Sequence, residues 1–180
     1  MKQILEYIIS KSSKRYVIKA NNFNIKDVIK KELDRLGHDA NLNHIDTTEV
    51  TNMFNLFSCD LQDLGIEYSD INPDISKWNV SKVVDMSWMF SHCEKFNCDI
   101  SKWDVKNVFD MSYMFFRCSY FNCNISKWDV SSVKDMHSMF KKCIKFNQDI
   151  SKWDVNKVEK YTDIFDECYI KEEYKPNFNY

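Results

Sequence analysis

The chain has 180 residues, 44% of them apolar, which is enough for one domain with a core, and its two glycines and two prolines leave no flexible linker to divide it. Its 25 basic and 27 acidic residues nearly cancel, which argues against a nucleic-acid or anionic-membrane surface. No stretch reaches the roughly 18 uninterrupted apolar residues of a membrane span, so no membrane insertion is expected, and a soluble, cytoplasmic protein is.

The opening "MKQILEYIISKSSKR" breaks its apolar run with Glu6 and continues into bases, which reads as a short amphipathic helix rather than a signal peptide. A strand is expected at "RYVIKA". In "NIKDVIKKELDRLG", Ile25, Val28, Ile29, Leu33 and Leu36 share one helical face, and Gly37 ends the helix. Residues 1–40 are therefore expected to form an N-terminal cap.

Most of the remaining chain is a repeat. "DISKW" begins at Asp74 and Asp99, returns as "NISKW" at Asn124 and closes at Asp149, always 25 positions on. The tryptophans Trp78, Trp103, Trp128 and Trp153 fall in one column. Ile75, Ile100, Ile125 and Ile150 form another, as do Val83, Val108, Val133 and Val158, and Phe90, Phe115, Phe140 and Phe165. A worn copy precedes these, with Leu42, Ile45, Thr47, Val50, Met53, Leu56 and Phe57 in matching places. Repetition at this period decides the fold before any other signal, because no single unit can bury such side chains alone.

Within a unit the period changes. "ISKWDV" alternates, Trp103 and Val105 against Lys102 and Asp104, as a half-buried strand does. Val108, Met111, Met114, Phe115 and Cys118 then follow a helical stripe. The spacing Ile100, Trp103, Val105 fits the core of a leucine-rich repeat. The expected fold is an α/β solenoid: a leucine-rich-repeat-like, right-handed array of short parallel strands and short helices with an N-terminal helical cap. The solenoid is expected over 41–168, with an insertion near 60–72 between the worn copy and the regular ones, and a C-terminal cap or tail over 169–180.

The wording "MF..C..FN.DISKWDVS.V.DMS.MF" resembles the BspA-like leucine-rich-repeat proteins, in particular the 25-residue repeat of unknown function found in mycoplasma surface proteins, in gut Bacteroidetes and in some of their phages. The resemblance covers roughly residues 41–168. It implies a solenoid of interaction modules, often displayed on cell surfaces as adhesins or antigens, and no chemistry. Without an export signal or a cysteine for lipid attachment near the start, the expectation is an intracellular or phage-encoded member acting on a host or cellular protein.

Alternation places His44, Lys77, Lys102, Lys127 and Lys152 in one outward row and Asp46, Asn79, Asp104, Asp129 and Asp154 in the next. This striped ribbon is either a mutually neutralising solvated surface or a binding face. The insertion, with Asp63, Glu67, Tyr68 and Asp70, is either a recognition loop or packing between the first copy and the rest. Cys93, Cys118, Cys143 and Cys168 align, and small buried thiols explain them better than a metal ladder or disulfides. The count of seven cysteines is odd, and all are expected to be thiols. His38, His44, His92 and His137 share no ligand spacing, and no nucleophile elbow, phosphate loop or H-E-x-x-H is present. The expected function is a non-enzymatic protein–protein interaction module that needs no cofactor or metal. The alternative is a structural or surface component, an adhesin-like or virion-associated spacer.

Overall fold

The computed structural model describes residues 16–58 and 68–178. The first expected helix, at the N-terminus, lies outside the described residues. Strand β1 (Ile18–Asn21) pairs in parallel with β2 (Ile45–Glu49), Ile18 opposite Ile45, and helix α1 (Ile25–Leu36) sits between them in the chain. Ile25, Ile29 and Leu33 are buried and Val28 is half-buried, while Leu36, at the frayed end of the expected face, is exposed. Gly37 ends the helix at φ 92°, a left-handed value that favours glycine, and its amide donates to the Leu33 carbonyl. The buried Glu32 receives the Arg35 guanidinium and pairs with His44 at 2.7 Å, tying α1 to the start of the first copy.

From residue 41 onward each copy is hydrogen-bonded to the next. Isolated parallel bridges join Asn52 to Asp85, Asp85 to Asp110, Asp110 to Asp135, and Asp135 to Lys160. Around them alternate amides donate forward: Met86 to the Asp110 carbonyl, Trp88 to Ser112, Phe90 to Met114, and His92 to Phe116. The same pattern recurs from the third copy to the fourth and from the fourth to the fifth. The worn copy obeys it too, with Met53, Asn55 and Phe57 donating to Asp85, Ser87 and Met89.

Two local expectations need correction. The stretch 108–118 is not a helix; among the described residues the only α-helix is α1. Its three-residue apolar spacing comes instead from successive turns: Val108 donates to Val105, Met114 to Met111, Cys118 to Phe115 and Phe121 to Cys118. An i→i−3 turn spaces its apolar residues much as a helix does, so periodicity alone cannot separate the two. Tyr113 (φ 55°) and Arg117 (φ 61°), four apart, take left-handed conformations that stop a helix from propagating. The alternating "ISKWDV" is not a strand either. Its burial alternates as expected, but Trp103 donates to Ile100 in a turn, and the bridges form about ten residues later.

Asp and Asn recur because they turn the corners. In each regular copy a carboxylate or amide oxygen accepts the amide two residues on: Asp99 from Ser101, Asp104 from Lys106, Asp110 from Ser112, and likewise Asn124 from Ser126, Asp129 from Ser131 and Asp135 from His137.

The core runs along the array as columns. Phe57, Phe90, Phe115, Phe140 and Phe165 stack face to face at 5.4, 5.7, 5.7 and 5.8 Å between centroids. A second column, Phe96, Phe121 and Phe146, runs alongside at 6.1 and 5.8 Å, each ring within 3.9 to 4.3 Å of its partner in the same copy. Every repeat tryptophan is buried, packs on the phenylalanine of the preceding copy, and donates its indole N–H backward, Trp103 to the Ile75 carbonyl and Trp128 to that of Ile100.

Candidate functional site

The ribbon residues Lys77, Asn79, Lys102, Asp104, Lys127, Asp129, Lys152 and Asp154 are all exposed, on either side of the buried tryptophans. Their acidic row is engaged within its own corners. Asp129 accepts the Ser131 amide and hydroxyl, Asp46 those of Thr48, and Asp154 the Asn156 amide. The Ser131 and Thr48 hydroxyls hold the Asp129 and Asp46 carboxyls below the usual carboxylate range. Asp104 also meets Lys106 at 3.0 Å. His44, the first member of the basic row, turns away from the ribbon to Glu32 and stacks with Tyr16. The ribbon is thus one row of lysines beside one row of turn-forming carboxylates, repeated almost unchanged from copy to copy.

In the insertion, Asp63 and Glu67 lie outside the described residues. Tyr68 and Asp70 bound a single 3-10 turn. Asp70 joins the cap region to the second copy: its carboxylate meets His38 at 2.7 Å and Lys95 at 3.5 Å, and the His38 bond lowers its pKa.

A different surface distinguishes the copies. The outward positions of the bridged segment carry Val84, Trp88 and His92 in the second copy; Phe109, Tyr113, Phe116 and Arg117 in the third; Lys134, Lys141 and Lys142 in the fourth; and Glu159, Asp163, Asp166 and Glu167 in the fifth. Trp88 and Tyr113 stack at 4.0 Å, Phe116 packs edge-on against Trp88, Tyr113 and His92, and the Arg117 guanidinium lies 5.6 Å from the Phe116 centroid. Tyr113 Oη and His137 Nε2 are hydrogen-bonded at 2.8 Å. Beside this cluster Val84 is 40% and Phe109 50% exposed. Farther along, the basic and acidic copies neutralise each other: Lys141 meets Asp163 and Asp166, both at 2.9 Å, Lys142 meets Glu167 and Lys134 meets Glu159. Column alignment on the apolar residues hides this mosaic, since its signal is the positions where the copies disagree.

The aligned thiols are buried. Cys93, Cys118 and Cys143 donate S–H to the carbonyls of Phe57, Phe90 and Phe115 at 3.1, 2.9 and 2.8 Å, so each acts as a small core residue with a weak donor. Burial pushes the Cys143 thiol well up, and Cys98, half-buried in its own column, up to about 11. Cys59 lies outside the described residues. Among the described residues no three His, Cys, Asp or Glu side chains are grouped to hold a metal, and no helix is long and apolar enough to cross a membrane.

No curated protein and no solved structure matches the chain. A family model matches it over residues 21–115 and again over 59–177, two overlapping registers of the kind a tandem repeat produces. The chain belongs to the family described as Mycoplasma protein of unknown function, DUF285.

Proposed function

We propose that this chain is a non-enzymatic protein-interaction module, a short solenoid of BspA-like leucine-rich repeats, in which turn-built rungs take the place of strand and helix. Its contact face is the aromatic side of the second and third copies. The observation that carries the reading is the cluster of Trp88, Tyr113 and Phe116 with Arg117, flanked by exposed Val84 and Phe109. Aromatic residues and arginine dominate the energetic centres of interfaces, and contiguous apolar surface on a water-facing side is the usual mark of a partner. The lysine and aspartate ribbon is the weaker candidate, because half of it holds corners and its sameness in every copy offers a partner no landmark.

The test is affinity capture with three immobilised proteins: wild type, Phe109→Ser with Arg117→Ala, and Lys102→Glu with Lys127→Glu. A discrete partner kept by the ribbon variant and lost by the aromatic variant supports this assignment. The reverse outcome moves the site to the ribbon, and no partner with any of the three refutes the module.

A further inference from the structure

The two central rows of the ribbon run through four copies. Lys77, Lys102, Lys127 and Lys152 form one, and Asn79, Asp104, Asp129 and Asp154 the other, all of them exposed. In chain order the signs go on alternating outward: Asp74, Asp99 and Asp149 precede the lysines, and Lys82, Lys106 and Lys157 follow the aspartates. Each acidic corner is made through Oδ1, which accepts the Lys106 amide at Asp104, the Ser131 amide at Asp129 and the Asn156 amide at Asp154. The second oxygen of each carboxylate is not used by the corner.

Between Lys102 and Lys127 the surface sinks into a hollow of about 230 Å³, lined also by Ser101 and Asn124. Asn124 stands where Asp74, Asp99 and Asp149 stand in the other copies, so an amide replaces a carboxylate beside the two ammonium groups. A carboxylate entering the hollow from another molecule meets two cations and a neutral wall.

We propose that the ribbon docks on the ribbon of a second copy of this chain, the two arrays lying parallel and face to face. Half a turn about a line along the array, midway between the central rows, lays the acidic row of the second chain on the basic row of the first. The same turn lays the outer aspartates on the outer lysines. Half a turn about a line across the array would instead lay lysine on lysine. Both chains step at the same interval, the 5.7 Å at which Phe90, Phe115 and Phe140 stack, so opposite charges meet on every rung at once. The sameness of the copies, which gives a different protein no landmark, suits a partner with the same period. A partner of one sign is repelled by one row, and a neutral one strips water from both. The contact is isologous and closes at two chains. Four rungs make it small and exposed pairs contribute little each, so the dimer is weak and sensitive to salt. This goes beyond the interaction reading, which concerns the aromatic side and not the ribbon.

Sedimentation velocity over a concentration series tests it. Wild type should approach the mass of two chains at about 20 mM salt, and about 0.5 M salt should move association to at least about tenfold higher concentration. The Lys102→Glu, Lys127→Glu protein sets acid against acid and should stay monomeric. The Asp104→Asn, Asp129→Asn protein keeps the corner acceptor, as Asn79 does toward Ser81, and loses the charge, so it should associate more weakly than wild type. An equimolar mixture of these two variants restores lysine against aspartate along one of the two lines of contact. It should therefore associate more tightly than either variant alone. Circular dichroism and urea midpoints confirm that the variants fold. A wild type that stays monomeric at low salt, association indifferent to salt, growth beyond two chains, or a mixture no tighter than its components overturns the proposal. The Phe109→Ser, Arg117→Ala protein should still dimerise. A dimer lost in that protein and kept in the lysine variant would place the contact on the aromatic side and refute the ribbon, so the two readings fail separately.

Discussion

Replacing Trp103 by alanine removes a side chain that is 4% exposed and wedged between copies. A tryptophan of this burial hides about 200 Å² of surface, which at about 25 cal/mol per Å² corresponds to about 5 kcal/mol before the compactness of the unfolded chain is allowed for. The cavity left beside Phe90 and the loss of the 3.3 Å indole bond to the Ile75 carbonyl, which keeps only the Trp78 amide, act in the same direction. The expected loss is about 3–5 kcal/mol for Trp103→Ala. Trp103→Phe keeps most of the packing but loses the indole bond to the Ile75 carbonyl, which retains the Trp78 amide, so it should cost about 0.5–1.5 kcal/mol, and the difference between the variants isolates the ring. Urea unfolding followed by far-ultraviolet circular dichroism measures both. A midpoint for Trp103→Ala within error of wild type would refute the reasoning, because it would require the indole to face water.

Other consequences can be measured alongside. Asn97, Asn122 and Asn147 form a ladder in which each side-chain oxygen accepts the backbone amide of the next copy, at 2.8 and 3.0 Å from Asn97 to Asn122 to Asn147. Asn122→Ala should therefore lower the stability read from the urea midpoint by about 0.5–1 kcal/mol, and Asn122→Asp, which keeps the acceptor, by less. The Arg35 guanidinium, aided by His44, holds the Glu32 carboxyl below its ordinary range despite burial that pushes it up. The unfolded chain, titrating near about pH 4.3, then takes up the proton first, so this contribution is full above about pH 5 and fades as pH falls through the lower folded value. Stability of Glu32→Gln should accordingly depend less on pH between about 5 and 3 than that of wild type. Iodoacetamide at neutral pH should modify Cys98 far more slowly than a free thiol, since burial raises its pKa to about 11, and should reach Cys143 only after unfolding.

How much was legible in the residues depends on what repetition records. The 25-residue alignment found the buried columns, including the worn copy: Leu42, Ile45, Thr47, Val50, Met53 and Phe57 are all buried where the alignment puts them. It also found the exposed lysine row. It misjudged the local path, because Val108, Met111, Met114 and Cys118 satisfy a chain of turns as well as a helix, and the deciding feature, a left-handed Tyr113 and Arg117, leaves no mark when neither residue is glycine. The second phenylalanine column and the asparagine ladder were written plainly in the recurring "FN" of Phe96–Asn97, Phe121–Asn122 and Phe146–Asn147, and needed only to be read as two separate stacks. The aromatic side escaped for the opposite reason: Trp88, Tyr113 and Phe116 stand where no consensus exists.

The paired charges of the last two copies carry a lesson about assembly order. Inside, the copies are interchangeable, since one phenylalanine or tryptophan fits on the next wherever it stands. Outside they are not: Lys134, Lys141, Lys142 and Lys160 find Glu159, Asp163, Asp166, Glu167 and Asp135 only if the fourth copy precedes the fifth. Deleting the fourth copy would keep the interior continuous yet abut Phe109 and Phe116 with a row of carboxylates. Gain or loss of whole 25-mers is thus permitted by the interior and policed by the surface, and the surface alone tells one copy from another.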